Sequence, residues 1–172
     1  MKRVEKKPRG RHEAVILFAV GDYTFAIAAQ AVEEIRNTDG LRPLPAGVAT
    51  ARLAKFKHLL ERDRKRYFVV DSNLHFRLFP SKATRLLVLR ESAAAVLVDH
   101  TERITEITSL HALPRAFGGE ERQWYRGIAM IQERVVPVVD PAAFMSKSEF
   151  TVLQAAVTGA EAAAKGKGAA TA

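Results

Sequence analysis

Short apolar runs broken by polar turns recur along most of the chain. AVILFAV (14–20) and YTFAIA (23–28) flank Gly21-Asp22, a pairing that predicts a β-hairpin. RYFVVD (66–71) reads as a strand, with LHFRLF continuing as a loop or half-turn to Pro80. TRLLVLRES, AAAVLVD and RITEITSL follow at the short, even spacing of a barrel or sandwich, RITEI being the weakest of the three. WYRGIAMIQERVVPVVD (124–140) predicts a second hairpin turning at Gln132-Glu133-Arg134, after a long loop, HALPRAFGGEERQ. These short connections favour antiparallel pairing.

Two stretches have a helical period instead. In AAQAVEEIRN (28–37), Ala28, Val32 and Ile35 are spaced for a short helix or helical turn. In ARLAKFKHLLERDRK (51–65), Leu53, Phe56, Leu59 and Leu60 predict an amphipathic helix. Between them, Pro43 and Pro45 forbid a central strand. At the far end, Ser146 and Glu149 form a capping-box pattern, and Phe150, Leu153 and Val157 line one face of a terminal helix. The expected organisation is a basic, disordered arm (1–12), one domain (13–157) and a low-complexity Ala/Gly tail (158–172) that frays into disorder.

Composition narrows the class. The chain is 48% hydrophobic, enough for a real core, and it lacks cysteine, which excludes disulfides and thiolate chemistry. No apolar run is long enough to span a bilayer and no secretory leader is visible, so a cytoplasmic protein without membrane insertion is expected. The net charge of +8 is concentrated. Residues 1–12 hold six basic side chains against one acidic, and residues 52–66 hold seven against two; the remainder is slightly negative.

Three apolar runs end on an aspartate: Asp71, Asp99 and Asp140. FVVD and PVVD lie 69 residues apart, a faint internal repeat. As phosphoacceptors they lack βαβ alternation and an acidic cluster. As metal ligands they lack His or Glu at close spacing, the five histidines being scattered. No Gly-x-Ser-x-Gly, His-Glu-x-x-His or P-loop pattern is present. Aspartate accepts from backbone amides two or three residues on, so all three read as turn and helix caps, with Pro141 suited to the first position after an Asp140 cap.

The order of these pieces resembles the CheW-like domain of bacterial chemosensory adaptors. ILFAVGDYTFAIAAQAVEEIRNTDGLRPLP looks like the family opening, with Val32, Glu34 and Ile35 at its V-x-E-I motif. RYFVVDSNLHFRL, RLLVLRESAAAVLVDHTERITEI and WYRGIAMIQERVVPVVDPAAFM resemble its later strands in the same order. Each motif is degenerate alone, and four in sequence make the match specific.

That resemblance implies a mostly β fold: two intertwined five-stranded SH3-like barrels with short helices and a C-terminal helix. It implies no catalysis, no cofactor, no metal and no small-molecule substrate. It implies two partners, the regulatory domain of a CheA-type histidine kinase and a chemoreceptor signalling tip, the latter in a groove between the barrels. The partner-binding residues it points to are Val32, Glu34, Ile35, Val96, Leu97 and Val98. One family stretch, G-v-x-N-x-R-G, is altered: aligned back from Asp71, His58 and Arg64 stand at the glycines and Asp63 at the arginine. Arg62 or Arg64 substitutes there if the register slips, or receptor binding is retargeted or lost.

Two other readings compete with the adaptor. A basic barrel could bind nucleic acid through 1–12 and 52–66, with Phe56 as a stacking residue, but aromatics are only 8% of the chain and spread along it. A metal-dependent hydrolase would use the aspartates.

Overall fold

The computed structural model describes residues 12–48 and 50–169; apart from His12, the expected basic arm lies outside the described residues. Eleven strands form two sheets among them. The first sheet has the order β10-β11-β2-β1-β9: β1 (Glu13–Val20), β2 (Tyr23–Ala28), β9 (His100–Ile107), β10 (Tyr125–Ile131) and β11 (Arg134–Val139). The second has the order β3-β7-β8-β6-β5-β4: β3 (Val32–Arg36), β4 (Arg42–Pro43), β5 (Phe56–Arg62), β6 (Lys65–Asp71), β7 (Arg85–Leu89) and β8 (Ala94–Val98). The chain enters the first sheet, builds the whole of the second, and returns, which is the intertwining expected. The second sheet has six strands only because the two-residue β4 is counted; it sits at the edge, where Pro43 withholds no ladder donor from a neighbour.

Turn chemistry fixes the hairpins. Gly21 takes the left-handed conformation (φ 58°) between β1 and β2. At Asp63-Arg64 and Gln132-Glu133 both turn residues have positive φ (48° and 63°; 49° and 62°), as two-residue primed turns require. The strand-ending repeat has a structural counterpart: β6 pairs parallel with β8, and β11 pairs parallel with β2. Strands joined directly by short turns pair antiparallel, as expected. Both parallel strands have long excursions before their partners, a second sheet's worth in the case of β2 and β11.

Three cores result. Val15, Leu17, Ile107, Ile131 and Val138 form a core on one face of the first sheet. Leu60, Tyr67, Val69, Leu86 and Val88 do the same for the second. Phe18, Phe25, Ile27, Phe68, Leu87, Val96, Val98, Phe144 and Leu153 form the large core between the sheets. The ends of the first sheet come together where His111, beyond β9, bridges to Ile128 of β10 through paired bonds of 2.8 and 2.9 Å.

The helical expectation for 51–65 fails, and that for 28–37 holds only as one turn; in both stretches a bulged strand follows the turn. Ala29–Ala31 is a single 3-10 turn, and Val32–Arg36 is then strand, paired with β7 across a bulge between Val32 and Glu34. Ala51–Leu53 is likewise a 3-10 turn, followed by β5. A bulge between Phe56 and His58 shifts the alternation, so Phe56 and Leu59 face the inter-sheet core while Leu60 faces the other way. Bulge and two-sided burial together imitate a 3.6-residue period.

The terminal helix α2 (Lys147–Ala169) starts on the expected capping box: Glu149 N donates to Ser146 Oγ at 3.1 Å, and Ser146 N donates to Glu149 Oε2 at 2.7 Å. Leu153 and Val157 reach the inter-sheet core. The expected fraying after Val157 is not seen; the helix runs to Ala169. Alanine is the strongest helix former, and Glu161 accepts an ion pair from Arg66 at 2.6 Å, tying the second half of the helix to β6.

Candidate partner-binding surface

One face gathers the end of the β5–β6 hairpin, the edge strand β3 and the middle of α2. Cross-strand pairing places Arg62 opposite Lys65 and Glu61 opposite Arg66. From β5, Arg62 forms an ion pair with Glu34 on β3 and a second with Asp63 at 3.2 Å. Tyr67 on β6 donates its hydroxyl to Glu33 at 3.4 Å. Burial first, then the Glu33 charge, pushes the Tyr67 phenol above its ordinary pKa. Glu61 accepts from Arg42 at 2.6 Å and from Arg66 at 3.2 Å, and Arg66 continues to Glu161. The hairpin is therefore fixed to both β3 and α2 by charge pairs.

This accounts for the basic segment 52–66. Four of its seven cations are ion-paired: Lys55 with Glu149, Lys57 with Asp71, Arg62 with Glu34, and Arg66 with Glu61 and Glu161. Arg52, Arg64 and Lys65 remain, all exposed. No continuous unpaired cationic stripe runs along the strand.

The residues singled out from the sequence separate into two groups. Glu34, Arg62 and Arg64 come together on this face, Arg64 at the hairpin tip; Ile35, 39% exposed, follows Glu34 on β3 but pairs with Leu87 and so lies on the opposite face of the strand. Val32 is only 6% exposed, and Val96 and Val98 are fully buried in the inter-sheet core. Leu97 is half-buried against the core of the second sheet. Strand β8 is interior, flanked by β7 and β6, so its valines offer a partner nothing and instead support the face from beneath. The sequence reading missed Glu33, Glu61, Arg66 and Glu161. A hairpin reading of ERDRKR would have found the Glu61–Arg66 pair, because opposite charges equidistant from a two-residue turn face each other.

The three aspartates have backbone roles. Asp71 caps the short helix α1 (Ser72–His75), accepting from Asn73 N at 3.0 Å and Leu74 N at 3.3 Å. Asp140 accepts from Ala142 N at 3.0 Å, with Pro141 at the first position of a 3-10 turn, as expected. Asp99 differs. One oxygen accepts from Gly21 N at 2.8 Å, in the first sheet's hairpin, and the other from Ser81 Oγ at 2.7 Å, in the loop leading to the second sheet. Among the described residues no three His, Cys, Asp or Glu side chains are grouped to hold a metal ion, and no helix is long and apolar enough to cross a membrane.

Two interleaved mixed sheets, short helical turns and a packed C-terminal helix define a mostly β, SH3-like architecture. The model of the CheW-like domain matches residues 14–149, and the chain belongs to that family. Among solved structures, the chain is similar to the scaffolding protein TtCheW from Thermoanaerobacter tengcongensis: TM-score 0.67 and 13% identity, covering 78% of this chain and 94% of that one. At that identity the likeness concerns the fold. No curated protein sequence matches the chain.

Proposed function

We propose that this CheW-like protein is a non-enzymatic adaptor coupling a CheA-type histidine kinase to chemoreceptors in chemotaxis or motility signalling. The observation that carries the reading is the Glu34–Arg62 pair, which locks the family's V-x-E-I strand to the hairpin that turns at Arg64. Ile35 supplies an apolar contact, and Arg64, exposed and without an ion pair to any described residue, supplies the charge that selects a partner. Arg62, already committed to Glu34, positions the hairpin rather than contacting the receptor. The altered stretch His58–Arg64 then retargets receptor binding through Arg64.

Co-sedimentation of the purified chain with the regulatory domain of a CheA-type kinase, and separately with receptor signalling fragments, tests this. Saturable binding to the kinase domain that is lost on Ile35→Asp supports it; binding to neither partner refutes it. The pairing of the basic segment's charges counts against the nucleic-acid reading, which a salt-independent result in filter binding would exclude.

A further inference from the structure

Three neighbouring strands of the first sheet carry an exposed apolar row. Met130 on β10 faces Val135 on β11 across the hairpin, and the two are 55% and 59% exposed. β11 runs parallel to β2 with Val138 beside Ala26, so three residues back along both strands Val135 stands beside Tyr23. The Arg134 guanidinium donates to Thr24 Oγ1 at 2.9 Å, which keeps the two strands together there. Tyr23 is itself 59% exposed. Ala26, Ala129, Val136 and Val138 point into the first sheet's own core, so alternation turns Tyr23, Met130 and Val135 to its other face. Ile128 and Pro137, a half-buried cross-strand pair, widen the row.

A loop extends the row. Phe76 stacks on Phe25 with ring centroids 4.4 Å apart, and Asp99 ties Ser81 to Gly21. Residues 76–81 therefore run along residues 21–25, and Phe79 and Tyr23 both fall between those two fastenings. Phe79 is 93% exposed although its loop is firmly held. Asn73, itself buried, donates through Nδ2 to the Phe79 carbonyl oxygen at 2.7 Å and to Ser81 Oγ at 2.8 Å. Leu78 N donates to the Asn73 carbonyl oxygen at 2.8 Å. A buried polar side chain fixes the backbone while the phenyl ring is left in water. Isolated exposed apolar residues are ordinary, but four large ones in one row mark a contact surface.

The order Phe79, Tyr23, Val135, Met130 is self-complementary. A two-fold axis through the middle of the row lays Phe79 of one copy on the Met130 thioether of the other, and Tyr23 on Val135. Sulfur against an aromatic ring is a favourable contact. The same axis brings together opposite charges from the two ends. Glu133 follows Met130 by three residues and Lys82 follows Phe79 by three; both are exposed, and neither makes an ion pair with a described residue. The row itself holds no charged side chain, so two copies of a chain with net charge +8 can approach there without setting like charges against each other.

We infer that this face joins two copies of the chain into a two-fold dimer, sheet against sheet. Strand spacing sets the distance from Tyr23 to Met130 at about 10 Å, so the contact is small beside the roughly 800 Å² per partner of a standard stable interface. The dimer is accordingly weak, with dissociation in the micromolar range. The face belongs to the first sheet and the Glu34–Arg62 pair to the second, so two chains joined this way each keep that pair and its hairpin open to another protein.

Sedimentation velocity on the full-length chain, from about 1 to about 300 μM, tests this. The parent is expected to shift from monomer toward dimer across that range. Phe79→Ser and Met130→Glu, both at exposed positions, are expected to raise the dissociation constant tenfold or more with unchanged far-UV circular dichroism. Glu133→Lys should weaken the dimer too, and adding Lys82→Glu should restore it, which a merely sticky surface would not show. A monomer at every concentration, assembly beyond the dimer, or a dimer of full affinity in Phe79→Ser overturns the assignment. So does failure of Lys82→Glu to rescue Glu133→Lys. Phe79→Ser should leave kinase binding intact, so failure here and failure of the adaptor reading are separate results.

Discussion

Arg62 on β5 closes onto Glu34 on β3, so the tip of one hairpin is anchored to the edge strand at the other end of the same sheet. The pair is partly solvated, its side chains 41% and 31% exposed, and an ion pair of this kind stabilises a fold by about 0.2–1 kcal/mol. Glu34→Ala is therefore expected to shift the urea midpoint only slightly. Kinase binding should fall much further, by tenfold or more in calorimetric titration, because β3 and the hairpin no longer share a fixed geometry. A charge swap, Glu34→Arg with Arg62→Glu, should recover part of it. Equal losses of stability and binding would argue that the pair is structural only.

The hairpin turn offers a separate test of Arg64. Asp63 and Arg64 both occupy left-handed conformations, which cost an ordinary L-residue about 1–2 kcal/mol relative to glycine. Replacing them with Asn-Gly is expected to raise the melting temperature by several degrees. If Arg64 is a partner contact, receptor-fragment affinity drops in the same variant. A more stable protein with unchanged affinity would remove Arg64 from the interface.

Gly127 marks where the ends of the first sheet meet. A Cβ there would lie 2.4 Å from the His111 carbonyl oxygen and 2.9 Å from Leu110 Cγ. Gly127→Ala must push the His111 bridge off β10, at about 1–3 kcal/mol by the usual cost of overpacking. A melting temperature within a degree of the parent's would contradict this.

His75 predicts acid sensitivity. Burial, reinforced by the Lys55 charge, lowers its folded pKa to about 3 from the ordinary 6.5, so between these values the unfolded chain binds a proton that the folded chain does not. Stability is fully present above about pH 6.5 and falls as the pH drops toward 3, by at most about 1.4 kcal/mol per unit from this residue. Urea midpoints of the parent and of His75→Leu, compared at pH 7.5 and 4.5, isolate the contribution: the parent should lose more on acidification. Identical losses would mean that protonation of His75 does not limit the fold.

The first and last hairpins were legible because turn chemistry is local: Gly21-Asp22 and Gln132-Glu133 declare themselves without knowledge of the rest of the chain, whereas the hairpin at Asp63-Arg64 was hidden in a stretch read as helix. The capping box at Ser146 and Glu149 was legible for the same reason. Leu59 and Leu60 were not, because adjacent buried residues on a strand require two cores, one on each side, and the second core is assembled from β7 and β8, far along the chain. Val32 to Ile35 failed similarly, through a bulge that depends on the partner strand. The candidate surface was half legible: motif matching reached Glu34, and simple burial removes Val96 and Val98 from it. The apolar row at Tyr23 left no mark in the sequence, since its side chains come from β2, β10, β11 and the loop after α1.

The order of the strands also sets an order of assembly. Residues 32–98 contain every strand of the second sheet, so that half can complete its pairing as soon as it leaves the ribosome. The β1–β2 hairpin emerges first yet has an unpaired edge on each side until β9, β10 and β11 are made. During synthesis its apolar strands, AVILFAV and YTFAIA, therefore stay open for the time it takes to translate most of the chain. That interval is where chaperone dependence and misassembly of this protein should concentrate, in the part of the fold that begins first and finishes last.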